Sequence, residues 1–287
     1  MLTRSIWVLP LLLLLSGCNR FEQTTPSRLT LGIVSYGESD RSLENFANLR
    51  NHLGSQLKSI IELEPTFNEV RAMTQIQERK WDLVFAPPGL AAIAIDKENY
   101  LPVFPLEGVE HTRSVIVVRE DSSVESIQDL GGKTVALGQV GSATGYYLPI
   151  YNLYGLTLAE VRFAPTPKQI LLWLEEEEVA AGALSLAEFN RFRSEFSETG
   201  FRIINTDSHQ VPSGVILVGE TVELNLHEQI KVSLSQVPPS IASEAGFIPN
   251  GKLPDYDYMI EVVDRVNSIA ERIKEKPAPL YERKSQE

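Results

Sequence analysis

The chain has one cysteine, four histidines and three methionines among 287 residues. A single thiol excludes an intramolecular disulfide, so a disulfide framework cannot hold the fold together. His52, His111, His209 and His227 are scattered, and none has metal-ligand spacing with another histidine or with the cysteine, so a zinc site is not expected. Basic residues are also short: 26 Lys and Arg stand against 38 Asp and Glu, a net charge of −12. Nucleic acid and anionic lipid both need a basic footprint, so neither is expected as a partner. The phosphate-loop pattern is missing because no Gly-Lys-Ser/Thr follows the glycines, and no Gly-x-Ser-x-Gly elbow marks a serine hydrolase. The run Glu175 to Glu178 reads as a solvated helix end, since adjacent carboxylates point in different directions. No catalytic triad, metal or cofactor is expected, and the chain is not read as an enzyme.

Long apolar runs are missing after residue 15. The run at 6–15, preceded by Arg4, is shorter than the roughly 20 residues that cross a bilayer, so it reads as a signal peptide over 1–17. It ends in Leu15-Ser16-Gly17-Cys18, which resembles the lipobox cut by the lipoprotein signal peptidase. The resemblance implies lipid on Cys18. Each buried CH₂ contributes about 0.8 kcal/mol, so two or three acyl chains give lasting attachment to a bilayer. Residues 18–28 are polar, with Thr24-Thr25-Pro26-Ser27, and read as a tether. The expected location is outside the cytoplasmic membrane, lipid-anchored, facing the periplasm or the cell exterior.

From residue 29 onward short β-rich runs alternate with helical patterns, the mark of an α/β architecture with mostly parallel sheets. Strands are expected at 29–35, 60–67 and 82–86, with helices at 43–58, 69–79 and 90–95 between and after them. Two extended runs at 101–118 interrupt this rhythm. It restarts with strands at 134–138, 161–164, 179–184 and 201–205, separated by helices at 145–154, 167–177 and 186–196. A strand at 214–219 and helices at 224–234 and 256–274 follow. This pattern predicts one lobe from 29–111 plus 213–273 and a second from 112–212, with a ligand cleft between them. Residues 274–287 carry Pro277 and Pro279 among charges and read as a flexible tail.

The stretch Gly138-Gln139-Val140-Gly141-Ser142-Ala143-Thr144-Gly145 joins an expected strand to an expected helix. Backbone N–H groups at a helix start point outward with the positive end of the dipole. Small residues leave room for an approaching group, and the hydroxyls of Ser142 and Thr144 add donors. The stretch therefore suits a tetrahedral oxyanion. The other reading is that Ser142 or Thr144 only caps a structural helix.

The runs Arg113-Ser114-Val115-Ile116-Val117-Val118-Arg119, Ile127-Gln128-Asp129-Leu130-Gly131-Gly132-Lys133 and Gly141-Ser142-Ala143-Thr144-Gly145-Tyr146 resemble the phosphate, phosphite and phosphonate substrate-binding proteins of ABC transporters. So do Trp81-Asp82-Leu83-Val84-Phe85-Ala86, Gly246-Phe247-Ile248-Pro249 and Asp255-Tyr256. The resemblance implies a two-lobed periplasmic-binding-protein fold of type II that closes on its ligand by hinge motion. It also implies contacts to a small oxyanion from Ser142, Ala143, Thr144 and Gly145, with help from Tyr36, Phe85, Ala86 and Pro87. Tyr36 either hydrogen-bonds the ligand or walls the cleft, Tyr146 is a weaker candidate, and Ser185 either faces the cleft or caps the next helix. Pro165-Thr166-Pro167-Lys168 departs from phosphonate-binding relatives, which often carry a histidine and an acid there, so phosphate and phosphite stay open as ligands. A membrane permease with its ATPase is the implied partner and a monomer is expected. The alternative is a ligand-sensing lipoprotein that signals to a membrane receptor or kinase.

Overall fold

The computed structural model describes residues 27–34, 42–108, 112–196 and 198–282. Cys18, the tether before residue 27, and Tyr36 lie outside the described residues.

The first sheet is built from β1 (Arg28–Val34), β2 (Ile60–Thr66), β3 (Leu83–Ala86), β4 (Leu101–Pro105) and β11 (Val215–Val218), in the order β2-β1-β3-β11-β4. The second takes β5 (Ser114–Arg119), β6 (Thr134–Leu137), β8 (Glu160–Phe163), β9 (Ala181–Ser185) and β10 (Phe201–Thr206), in the order β8-β6-β9-β5-β10. The two orders are the same pattern. In each, three strands run parallel, and the fourth place is taken by the strand that has just arrived from the other sheet: β11 in the first, β5 in the second. Each arriving strand runs antiparallel to both neighbours. Four of the five strands in each sheet therefore point one way, in line with the expectation of mostly parallel sheets, and the one reversed strand is the one that enters from the other sheet.

The helices follow from the apolar spacing. They are α1 (Ala47–Leu57), α2 (Glu69–Gln77), α3 (Pro88–Lys97), α4 (Leu148–Asn152), α5 (Pro167–Glu175), α6 (Leu186–Phe192), α7 (Leu224–Ser235), α8 (Pro239–Ala245) and α9 (Asp257–Asn267). In α9, Met259, Val262, Val263 and Val266 recur at helical spacing and are all buried. That face packs on α3, beside the first sheet, and on α4, beside the second, so one helix joins both halves in a continuous core. Separate apolar clusters cover the outer face of each sheet.

The C-terminal end differs from the flexible tail expected over 274–287. β7 (Thr157–Leu158) pairs antiparallel with β12 (Ala278–Pro279), and Ala278 and Leu280 are wholly buried. Their apolar side chains complete the core against Leu158, which outweighs the local charge and proline content.

Candidate ligand cleft

β6 ends at Leu137, and the chain turns back so tightly that Gly138 and Gly145 lie side by side, with the Gly138 N–H donating to the Gly145 carbonyl at 2.8 Å. A Cβ at Gly138 would lie 3.2 Å from Gly145 Cα, so side chains here would push the two strands of the turn apart. Gly141 adopts φ +106°, which an L side chain rarely takes.

The helix that follows opens with a π turn, Ala143–Tyr147, before continuing as α4. Ser142 is its N-cap: its Oγ accepts the Gly145 N–H at 3.0 Å, and its carbonyl accepts the N–H groups of Tyr146 and Tyr147 at 3.0 and 2.9 Å. Those bonds use the amides of residues 145 to 147. The amides of Ala143 and Thr144 donate to no acceptor among the described residues, as expected of a helix start. The turn is oriented from below, where Ser114 Oγ on β5 donates to the Thr144 carbonyl at 2.7 Å.

The other wall comes from the first sheet. β3 leads through Pro87, in extended conformation, into α3, whose second residue is Gly89. A Cβ there would overlap the Gly141 carbonyl and lie 3.2 Å from the Ala143 nitrogen, so the two backbones touch. Glu69, the first residue of α2, reaches the same place: a Cβ on Gly141 would fall on its Oε2 and 2.8 Å from its Cβ. Glu69 is only 2% exposed, and burial holds its carboxyl well above the usual carboxylate range.

The residues expected at the site divide. Ser142, Ala143, Thr144 and Gly145 form the turn, and Pro87 stands at the start of α3 on the facing wall. Phe85 is corrected: its ring packs edge-on between Phe46 and Phe247, at 5.1 and 6.0 Å, in the core on the outer face of the first sheet. Ala86 is wholly buried on the opposite face, as strand alternation requires. Tyr146 is corrected as well. It is 3% exposed, packs edge-on against Tyr147 at 5.0 Å, and burial pushes its hydroxyl up to about 12. Ser185 is brought to the edge beside Ser114, its partner in strand register, but its hydroxyl is occupied. It donates to Glu188 Oε2 at 2.7 Å and accepts the Glu188 N–H at 3.1 Å, and with the Ser185 N–H donating to Glu188 Oε2 at 2.9 Å the capping box is complete.

Glu69, Gly89 and Ser114 meet the turn in the structure and were not picked out as candidates from the sequence. A glutamate in the first turn of a helix reads as a partner for the helix dipole, so Glu69 carried no distinct signal.

A family model described as the periplasmic substrate-binding protein of the phosphonate ABC transporter matches residues 31–246. No curated protein matches the chain. Among solved structures, XAC2383 from Xanthomonas citri bound to ATP shares 20% identity, covering 84% of this chain and 98% of its own, with a TM-score of 0.69. PhnD1 from Prochlorococcus marinus in complex with methylphosphonate shares 16% identity over 85% and 99%, with a TM-score of 0.63. A binding protein component of an ABC phosphonate transporter from Pseudomonas aeruginosa shares 11% over 87% and 88%, also at 0.63. These neighbours share the type II periplasmic-binding-protein fold, consistent with the repeated sheet order described above. With more than half its length matched by the family model, the chain belongs to the periplasmic substrate-binding proteins of phosphonate ABC transporters.

Proposed function

We propose that this protein is a lipid-anchored receptor that captures a small oxyanion, a phosphonate, phosphate or phosphite, between two lobes and delivers it to a membrane permease driven by an ATPase. The lobes are 29–111 with 213–273, and 112–212. The observation that carries this reading is the pair of amides at Ala143 and Thr144 that find no acceptor among the described residues, set where Gly89 meets Gly141. Fixed dipoles of this kind hold an anion without a basic residue, which suits a chain of net charge −12. The Ser142 hydroxyl keeps its hydrogen for a ligand while its lone pair caps the turn. Lipid on Cys18 and the tether at 18–28 would keep the receptor near its permease.

Mass spectrometry of the ligand released from purified protein, then calorimetry with phosphate, phosphite, methylphosphonate and sulfate, tests the ligand class. Binding of none of the first three would refute it. Ser142→Ala is expected to weaken binding at least tenfold and to lower stability by about 1 kcal/mol through the lost cap. Cys18→Ala is expected to move the protein from the membrane to the soluble fraction.

A further inference from the structure

The turn that holds the Ala143 and Thr144 amides continues without a break through α4 to Asn152, so the amides and the helix end form one piece. Two bonds from outside fix that piece. Near its start Ser114 Oγ donates to the Thr144 carbonyl at 2.7 Å, and at its end Asn152 Nδ2 donates to Asp207 Oδ2 at 2.7 Å. The two anchors are themselves joined, because the Asp207 N–H donates to the Ser114 carbonyl at 2.9 Å. Thr144, Ser114, Asp207 and Asn152 thus close a ring whose fourth side is the helix.

Asp207 is the first residue after β10, where the chain leaves the second sheet for β11 of the first. Its side chain is 2% exposed and both carboxylate oxygens are used: Oδ2 by Asn152, and Oδ1 by the His209 N–H at 2.8 Å, with His209 Nδ1 3.3 Å away. The Arg113 guanidinium donates to its carbonyl at 3.1 Å. The His209 ring stacks on Tyr258 of α9 at 3.7 Å, and Tyr258 meets Tyr151 of α4 edge-on at 6.2 Å. One carboxylate therefore fastens the helix that bears the two amides to the crossing between the sheets. Two donors converge on it, and an ionised carboxylate suits them because both of its oxygens accept and neither donates.

We propose, on the reading that an oxyanion binds at the Ala143 and Thr144 amides, that Asp207 is a positioning residue for that ligand: acting through Asn152 and Ser114, it holds the turn and α4 against the crossing so that the amides are set before the ligand arrives. Donors fixed in advance bind more tightly than mobile ones, because less ordering is left to the binding step.

Calorimetry on the full chain with methylphosphonate and with inorganic phosphate would compare wild type, Asp207→Asn, Asn152→Asp and the double variant carrying both changes. Asp207→Asn turns an acceptor into an NH₂ that faces another donor, and Asn152→Asp sets two carboxylates against each other. Each single change is expected to weaken whichever anion wild type binds by about tenfold, on protein that circular dichroism shows to be folded. The double variant again pairs a donor with an acceptor at the same net charge, and its affinity is expected to return to within about threefold of wild type. Proton–nitrogen NMR spectra without ligand should show the Ala143 and Thr144 amides displaced in the single variants and restored in the double, which a loss of stability alone would not do. Unchanged affinity in folded Asp207→Asn, or weakened single variants without recovery in the double, overturns the positioning role and leaves the cleft reading intact. If Asp207→Asn does not fold, Asn152→Ala decides: it removes one bond at a half-buried helix end, a loss of about tenfold supports the role, and unchanged affinity overturns it. Wild type binding neither anion overturns the cleft reading and the role of Asp207 with it.

Discussion

Gly89 and Gly141 meet backbone to backbone across the two halves of the molecule, so closely that a Cβ on Gly89 would overlap the Gly141 carbonyl. One glycine opens α3 after the first sheet, and the other lies in the loop after β6 of the second. On the proposed reading, in which two lobes close on a ligand, this contact forms part of the closed state, and it can be tested separately from the stability of either half.

Gly89→Ala is therefore expected to disfavour closure while leaving each sheet and its helices intact, because opening relieves the overlap. Ligand affinity should fall at least tenfold, about 1.4 kcal/mol, with a small change in melting temperature. Calorimetry paired with small-angle scattering checks this, and an unchanged affinity would refute the contact's role.

Ser185→Ala removes both bonds of the Ser185 hydroxyl to Glu188 and leaves the bond from the Ser185 N–H to Glu188 Oε2 in place. A loss of about 1 kcal/mol is expected in urea denaturation, with ligand affinity unchanged within about twofold. A large loss of affinity with little loss of stability would instead return Ser185 to the ligand site.

Gly32→Ala places a Cβ on the ring of Trp81, which is wholly buried beneath β1. Overpacking of this kind costs roughly 1–3 kcal/mol, readable as a lower denaturation midpoint. A smaller effect would mean that the indole can shift.

Tyr100 donates to the Trp81 carbonyl at 2.8 Å, and burial, helped by the charge of Asp82, pushes its hydroxyl up to about 12. Tyr146 is likewise pushed up to about 12 by burial. The folded state thus holds these protons more tightly than the unfolded chain, whose tyrosines titrate near 10. The stability they contribute is complete below about pH 10 and is lost as pH rises toward about 12. Urea midpoints measured at intervals between about pH 8 and about pH 11.5 should be flat at first and then fall. A midpoint that stays flat throughout would contradict the shifts.

Much of the secondary structure was legible because it rests on local periodicity. Leu29, Leu31 and Ile33 alternate along β1 and are all buried, and the helical spacing of Met259, Val262, Val263 and Val266 marks α9. The Ser142 to Gly145 turn was legible as a strand-to-helix junction of small residues, although both of its readings apply in part, since Ser142 is a cap. Phe85 was misread because alternation says that neighbours face opposite ways but not which face is the cleft. The choice between Phe85 and Ala86 was made by Phe46 and Phe247, which are remote in sequence. The end of the chain was misread for a related reason: its charges are local, whereas burial of Ala278 and Leu280 depends on a strand at 157–158.

By itself the sequence determined the α/β alternation, the two departures from it near 112 and 212, and the position of a small-residue helix start, because each is set by neighbours within a few residues. Only the tertiary structure decided that β5 and β11 enter each other's sheets reversed, that α9 closes one core over both halves, and that Glu69 and Gly89 face Gly141. Those relations join residues 50 or more positions apart, where packing and burial, rather than local pattern, choose the partner.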